Sequence, residues 1–348
     1  MKNNIYTITY HSRINYGQFL QAFALQRMVE KSKLVNFRPF FTYNVGIAGR
    51  KRLPFFWVFV AFSRWLKANK KSLAENKRLR FTKKFRFVQE LSCFEQESNA
   101  VLIAGSDQIW NESPILKDFY FLNFGNTMTK RISYAASLGL KKWSPDFEKL
   151  VLPLLKKFEA ISVRENSAVA YLTSLGLKNV VCVCDPTILH MRDFYRKEFP
   201  YEQKKSDFTF IYRIRESIPS SVKTLLCGEV RDVDLKDKKT IISVTEWLQN
   251  IDNSKYVITD SFHGTVFCLL FHKPFLVIPN SSNGKGMNER FATLLGKTHL
   301  EYRFLTCQET TTELLEKLNK SIDWDAVDLI LDDWRNYSKE WLKNALEK

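Results

Sequence analysis

The feature of this sequence that most restricts its fold is a regular alternation of short apolar runs with amphipathic stretches. That alternation is the pattern of an α/β chain with mainly parallel sheets. In the first half, strands are expected at residues 5–10, 100–104, 131–135, 160–163 and 180–184, with helices at 19–30, 145–158 and 167–175. In the second half, strands are expected at 208–212, 240–243, 256–259 and 275–278, with helices at 245–251, 264–271 and 288–295. Residues 191–207 are polar and charged between two strand patterns, as domain linkers are. The expected organisation is an N-terminal α/β domain over residues 1–190, a linker over 191–207 and a C-terminal α/β domain over 208–320. A C-terminal amphipathic helix within 321–348 would pack across the two domains. It carries Val327, Ile330, Leu331, Trp334, Trp341 and Leu342 on one side. Two doubly wound domains of this kind face a ligand cleft near the carboxyl ends of their strands.

Length and composition exclude several classes. At 348 residues the chain suggests two domains, each able to bury its own core. Hydrophobic residues at 45% and charged residues at 26% rule out disorder, collagen and low complexity. No apolar run approaches the roughly 18–20 residues of a membrane-spanning helix, and the amino terminus turns polar too soon for a secretory signal. Six cysteines without CxxC spacing read as reduced, cytosolic and not metal-binding. The 53 Lys+Arg exceed the 37 Asp+Glu by 16, so the chain is basic.

Part of that charge is concentrated. Residues 50–88 hold thirteen Lys and Arg with Glu75 as the sole acid, around the aromatic-rich run LPFFWVFVAF at 53–62. Ten helical residues cover about 15 Å, half of a roughly 30 Å hydrocarbon core. Three readings stand side by side: a buried element followed by a solvated basic helix, an aromatic wedge for an anionic membrane surface, and a nucleic-acid contact. The last has charge but no recognisable DNA or RNA module behind it.

Five short segments carry chemistry. In YVITDSFHGTVF (256–267) a buried strand ends at Asp260 and Ser261, and a helix opens near Gly264. His263 then stands where free backbone N–H groups favour a phosphate or carboxylate, suited to general acid or base work. The opposing reading has Ser261 as a plain helix cap and His263 as a satisfied structural residue. In AISVRENS (160–167), Arg164 projects from a strand end, as a ligand cation or as a surface partner of Glu165 or a neighbouring carboxylate. In VLIAGSDQIWN (101–111), Asp107, Gln108 and Asn111 are placed to bind sugar hydroxyls while Trp110 stacks on a ring; the alternative is an Asx turn with Trp110 in the core. RISYAASLG (131–139) offers small residues for close packing. In TYHSRINYGQFLQAFALQ (9–26), a loop with Asn15 and Gly17 joins a strand to a helix, as an acceptor cradle or an ordinary connection.

Taken in order, GSDQIWN, SYAASLG, ISVRENSA with YLTSLG, DPTIL (185–189) and TDSFHGTVF with KPF resemble the polysaccharide pyruvyl transferase family. The opening NYGQFLQAFALQ is similar to that family's amino-terminal motif. The resemblance implies a GT-B-like fold of two Rossmann-like domains around a cleft. It also implies transfer of the pyruvyl group of phosphoenolpyruvate to a sugar hydroxyl pair, as a cyclic ketal, in surface polysaccharide synthesis. Carried over by position, Arg164 matches the family's cleft arginine and His263 its histidine. Lys285 is the nearest candidate for a downstream cation. Ser261 stands where some members have an arginine, so a phosphoenolpyruvate-binding cation is missing or supplied by Arg290 or Lys285.

The implied site is therefore catalytic His263 and Arg164, facing each other across the cleft, with Asp107, Gln108, Trp110, Asn111, Asn15, Ser261, Gly264, Lys285 and Arg290 as substrate ligands. No metal and no cofactor are required. The implied partners are phosphoenolpyruvate and a sugar acceptor on a lipid-linked oligosaccharide, with an anionic membrane surface and no nucleic acid. The expected location is the cytoplasm, peripheral on the inner leaflet. Two alternatives compete: a GT-B glycosyltransferase using a nucleotide sugar, and a non-catalytic polyanion- or membrane-binding relative.

Overall fold

A computed structural model describes residues 4–11, 15–38, 75–113, 116–224, 226, 228–281 and 286–347. The chain divides into two compact units. One comprises Gln18–Pro186 with the chain start up to Ile14 and the end from Glu340; the other comprises Thr187–Lys339 together with Asn15–Gly17.

The first unit is built on a seven-stranded sheet in the order β3-β2-β1-β4-β5-β6-β7. Its strands are β1 (Asn4–Ile8), β2 (Lys33–Phe37), β3 (Phe81–Phe85), β4 (Ala100–Ala104), β5 (Lys130–Ala136), β6 (Ala160–Val163) and β7 (Val181–Cys182). All neighbours are parallel. Strand β4 reads AVLIA and is buried along its whole length, as a strand covered on both faces must be. The order reverses between β1 and β4, which pair from Asn4↔Ala100 to Ile8↔Ala104. Their carboxyl ends thus form the switch point at which such sheets bind ligands.

The second unit carries a four-stranded parallel sheet, β11-β10-β8-β9. Its strands are β8 (Thr209–Arg213), β9 (Val230–Asp234), β10 (Tyr256–Thr259) and β11 (Phe275–Val277). Here the switch point lies between β8 and β10. The helix Phe262–Leu270 follows β10 and is buried on every side, as its continuous apolar run demands. The helix Trp324–Glu347 buries Val327, Leu331, Trp334 and Leu342. Its residues to Lys339 group with the second unit and those from Glu340 with the first.

The α/β reading with parallel sheets holds, with four corrections. Residues 240–243 are not a strand; Ser243 caps the helix Val244–Asn253, reciprocated by Glu246 in a capping box, while Ile242 bonds to the Tyr16 hydroxyl and Thr240 to Asp234 and Asp237. The supposed linker 191–207 holds the helix Arg192–Glu198 with Tyr195 and Phe199 fully buried. Strands β2 and β9 were not expected. Strand β3, FTKKF, was read as part of the basic stretch. It is the described edge of the first sheet, where a strand tolerates Lys83 and Lys84 on its exposed positions. The aromatic run 53–62 lies outside the described residues.

Candidate functional site

In the first unit the carboxyl ends of β4, β5, β6 and β7 carry a buried polar cluster. Arg164, directly after β6, is 1% exposed. It donates from Nη1 to Asp185 Oδ2 at 2.7 Å, with Asp107 Oδ1 at 3.7 Å from Nη2 and Glu165 Oε1 at 3.8 Å from Nε. Burial alone would lower the guanidinium pKa, but the charges of Asp185, Glu165 and Asp107 outweigh it and raise the value. One cation thus stands among three buried carboxylates. Ser106 Oγ lies 3.1 Å from Asp185 Oδ2, and Ser137 bonds to Glu165.

The backbone forms this cluster because Gly105 has φ +124°, where a Cβ would stand 2.1 Å from the Tyr134 carbonyl oxygen. The tight passage turns the chain so that Asp107, itself at φ +74°, faces Arg164. Across the switch point, Thr9 Oγ1 donates to the Ser106 carbonyl at 2.7 Å, while Gln21 bonds both to Thr9 Oγ1 and to the Ser106 amide. His11, next along from β1, is buried against Phe81, with Nδ1 at 3.1 Å from the Thr9 carbonyl oxygen. Burial pushes its pKa down to about 4.

In the second unit, Asp260 directly follows β10, 1% exposed, its carboxylate accepting from three backbone amides. Ile214 donates to Oδ1, and Arg215 and Glu216 donate to Oδ2, each at 2.7 Å. This ties the loop after β8 to the start of the next helix. Ser261 caps that helix, accepting from the Gly264 amide at 3.1 Å. His263 is the second residue of the helix and 6% exposed. Tyr16, from the Asn15–Gly17 segment, stacks on Trp247 with centroids 5.3 Å apart, and its hydroxyl bonds to both the amide and the carbonyl of Ile242 at 3.0 Å. Burial, with Glu246 nearby, pushes the Tyr16 phenol up to about 12. Arg290 is buried, its guanidinium 5.8 Å from the Phe262 ring centroid and 5.5 Å from that of Phe291.

The residues singled out in the sequence divide accordingly. Asp107, Gln108, Asn111 and Arg164 belong to the first unit; Asn15, Ser261, His263, Gly264 and Arg290 belong to the second. Gln108 and Asn111 are half-buried, the latter donating to the Tyr10 hydroxyl at 3.3 Å. Trp110 is a correction. It is fully buried, stacked on Phe121 with centroids 5.5 Å apart, and its indole N–H donates to the Tyr120 carbonyl, so no ring face is offered to a sugar. Ser261 spends its hydroxyl on capping. Arg164 is held by carboxylates of its own chain. Lys285 lies outside the described residues. The residues missed are Asp185 and Asp260, whereas Glu165 is the carboxylate that the alternative reading of Arg164 calls for. The signal for Asp185 was present: an acid at the end of β7 follows an arginine at the end of the adjacent β6.

Comparison with solved structures shows the fold. UDP-N-acetylglucosamine 2-epimerase from Rickettsia bellii is similar with a TM-score of 0.52 at 11% identity, over 99% of this chain and 96% of that one. The MnaA–UDP structure from S. aureus gives 0.52 at 13%, over 97% and 94%. UDP-GlcNAc 2-epimerase from Neisseria meningitidis bound to UDP-GlcNAc gives 0.50 at 9%, over 99% of each chain. At these identities the likeness is one of fold, the GT-B arrangement. Among curated proteins none matches the chain. A family model described as polysaccharide pyruvyl transferase matches residues 15–282.

Proposed function

The chain belongs to the polysaccharide pyruvyl transferase family and is a transferase, and from that premise we propose that it moves the pyruvyl group of phosphoenolpyruvate onto two hydroxyls of a sugar, closing a cyclic ketal. The observation that carries this reading is His263, at the amino end of a helix that follows the central β10 of the second sheet. Phosphoenolpyruvate carries about three negative charges near neutral pH, from a carboxylate and a phosphate. Its site needs cations and backbone amides, and the helix amino end, Arg290 and Lys285 supply those types. His263 delivers a proton to the methylene carbon, creating an oxocarbenium-like centre that a sugar hydroxyl attacks. The proton of that hydroxyl restores the one His263 gave, the C–O bond to phosphate breaks, and the second hydroxyl closes the ring as its proton leaves with the phosphate. Asp107, Gln108 and Asn111 are assigned to the acceptor. Arg164, given its carboxylate partners, is assigned to holding Asp107 rather than to binding the donor.

The acceptor is proposed to be a lipid-linked oligosaccharide of a surface or capsular polysaccharide, with the enzyme in the cytoplasm against the inner leaflet through residues 50–88. Among the described residues no helix is long and apolar enough to cross a membrane.

The test is phosphate release from phosphoenolpyruvate in the presence of a β-galactoside or similar acceptor. His263→Asn should cut the rate about 10²–10⁴-fold. Parental turnover by that variant would remove His263 from the mechanism. Stabilisation by a UDP-sugar and not by phosphoenolpyruvate in a thermal-shift assay would favour a nucleotide-sugar glycosyltransferase instead.

A further inference from the structure

Gly17 is the second residue of the helix Tyr16–Met28, and its φ is not in the left-handed region where glycine is required. Nothing in the backbone conformation therefore asks for glycine, and the reason for it lies in the space around it. A Cβ at this position would stand 2.1 Å from His263 Nδ1, 2.4 Å from Cγ and 2.8 Å from Cβ. Those atoms are the near edge and root of the ring, where the side chain cannot swing aside as a flexible tip would. The Asn15–Gly17 segment groups with the second unit. It is fastened there by Tyr16, stacked on fully buried Trp247, set edge-on to Tyr212 at 5.5 Å and bonded twice to Ile242. The wall that meets the imidazole is therefore anchored one residue away from the contact. The ring also meets Phe262, edge to face with centroids 5.4 Å apart.

We propose that Gly17 is a positioning residue for His263. Its bare α-carbon lets the imidazole seat against the opening of the first helix, and Tyr16 fixes that opening in place. The proposal rests on His263 being the proton donor, and it adds the element that holds the donor. It also gives the NYG sequence at 15–17 a task in the second unit, although most of its helix belongs to the first.

The test uses the full chain with Gly17→Ala, His263→Asn, His263→Ala and Gly17→Ala/His263→Ala. Gly17→Ala should lower kcat by about 10²-fold, the loss that an ångström-scale misplacement can cause, with the KM for phosphoenolpyruvate nearly unchanged. It should also shift the His263 imidazole NMR resonance, identified by its absence in His263→Asn. In thermal unfolding, Gly17→Ala should lower the midpoint of the parent by more than that of His263→Ala, because the ring contacts at 2.1 and 2.4 Å are then gone and only the one to Cβ at 2.8 Å remains. If Gly17→Ala alone fails to fold, recovery of folding in the double variant supports the same contact. An unmoved resonance, parental kcat, or equal thermal cost in both backgrounds overturns the proposal. If His263→Asn keeps parental turnover, the proton-donor reading fails by itself; the resonance and the unfolding cycle still decide whether Gly17 holds the ring.

Discussion

Arg164 shows how a residue's place can be legible while its role is not. Its position at the carboxyl end of β6 follows from the AISVRENS pattern. Glu165 is its chain neighbour, but its commitment to Asp185 and Asp107 depends on the sheet order, which puts β7 next to β6 and β4 two strands away across β5. Removing one partner of a buried ionic cluster leaves uncompensated charge and costs about 3–5 kcal/mol. Arg164→Ala should therefore lower the unfolding free energy measured by urea titration by that amount. Arg164→Lys should recover only part, since a single ammonium cannot reach carboxylates on both edges of a guanidinium plane. Unchanged stability in Arg164→Ala would return the residue to the role of a ligand cation. Trp110→Ala should likewise cost about 3–5 kcal/mol through the cavity it leaves. A stable Trp110→Ala protein with weakened acceptor binding would restore its stacking role. Periodicity could not separate these cases, because a strand-end tryptophan reads alike in a core and in a cleft.

At the scale of elements, two connections after strand ends decide local stability. The Asp260 carboxylate gathers the three amides of the loop after β8. Asp260→Asn replaces an acceptor with a donor facing N–H groups, and it should cost about 1–3 kcal/mol for the amide left unpaired. Chemical denaturation measures this; an unchanged midpoint would mean that the loop holds without the clip. His11 makes the first unit sensitive to acid. With a folded pKa of about 4 against 6.5 ordinarily, the unfolded chain takes up a proton as pH falls below 6.5, whereas the folded one resists until about 4. Stability is thus fully present above 6.5 and lost on descent to 4, by about 3 kcal/mol. Melting followed across that interval should show the slope, and His11→Gln should flatten it. An equal slope in the variant would place the acid sensitivity elsewhere. Central elements such as β4 and β10 were legible because burial on both faces leaves a continuous apolar run. Strand β3 was not, because an edge strand can carry lysines and so resembles a solvated basic stretch.

For the whole molecule, the net charge of +16 bears on partners rather than on fold. Several cations near an anionic surface contribute about 1 kcal/mol each. The protein should therefore sediment with vesicles containing phosphatidylserine at low salt and be released as salt shortens the screening length. Equal recovery with neutral vesicles would end the membrane proposal, and replacing Arg50, Lys51 and Arg52 by serine should weaken binding if residues 50–88 carry it. What the sequence determined alone was whatever depends on local order: the α/β class, the parallel strands, the helix start at His263 and the run of motifs that marks the family. The tertiary structure decided which strand ends are neighbours. Only that arrangement spends the Arg164 guanidinium on three acids, closes Trp110 into the core and sets Gly17 against His263. The physical reason is that hydrophobic periodicity is written between residues a few positions apart. Ion pairs, ring burial and the space a missing side chain leaves are set by residues that the chain brings together from far away.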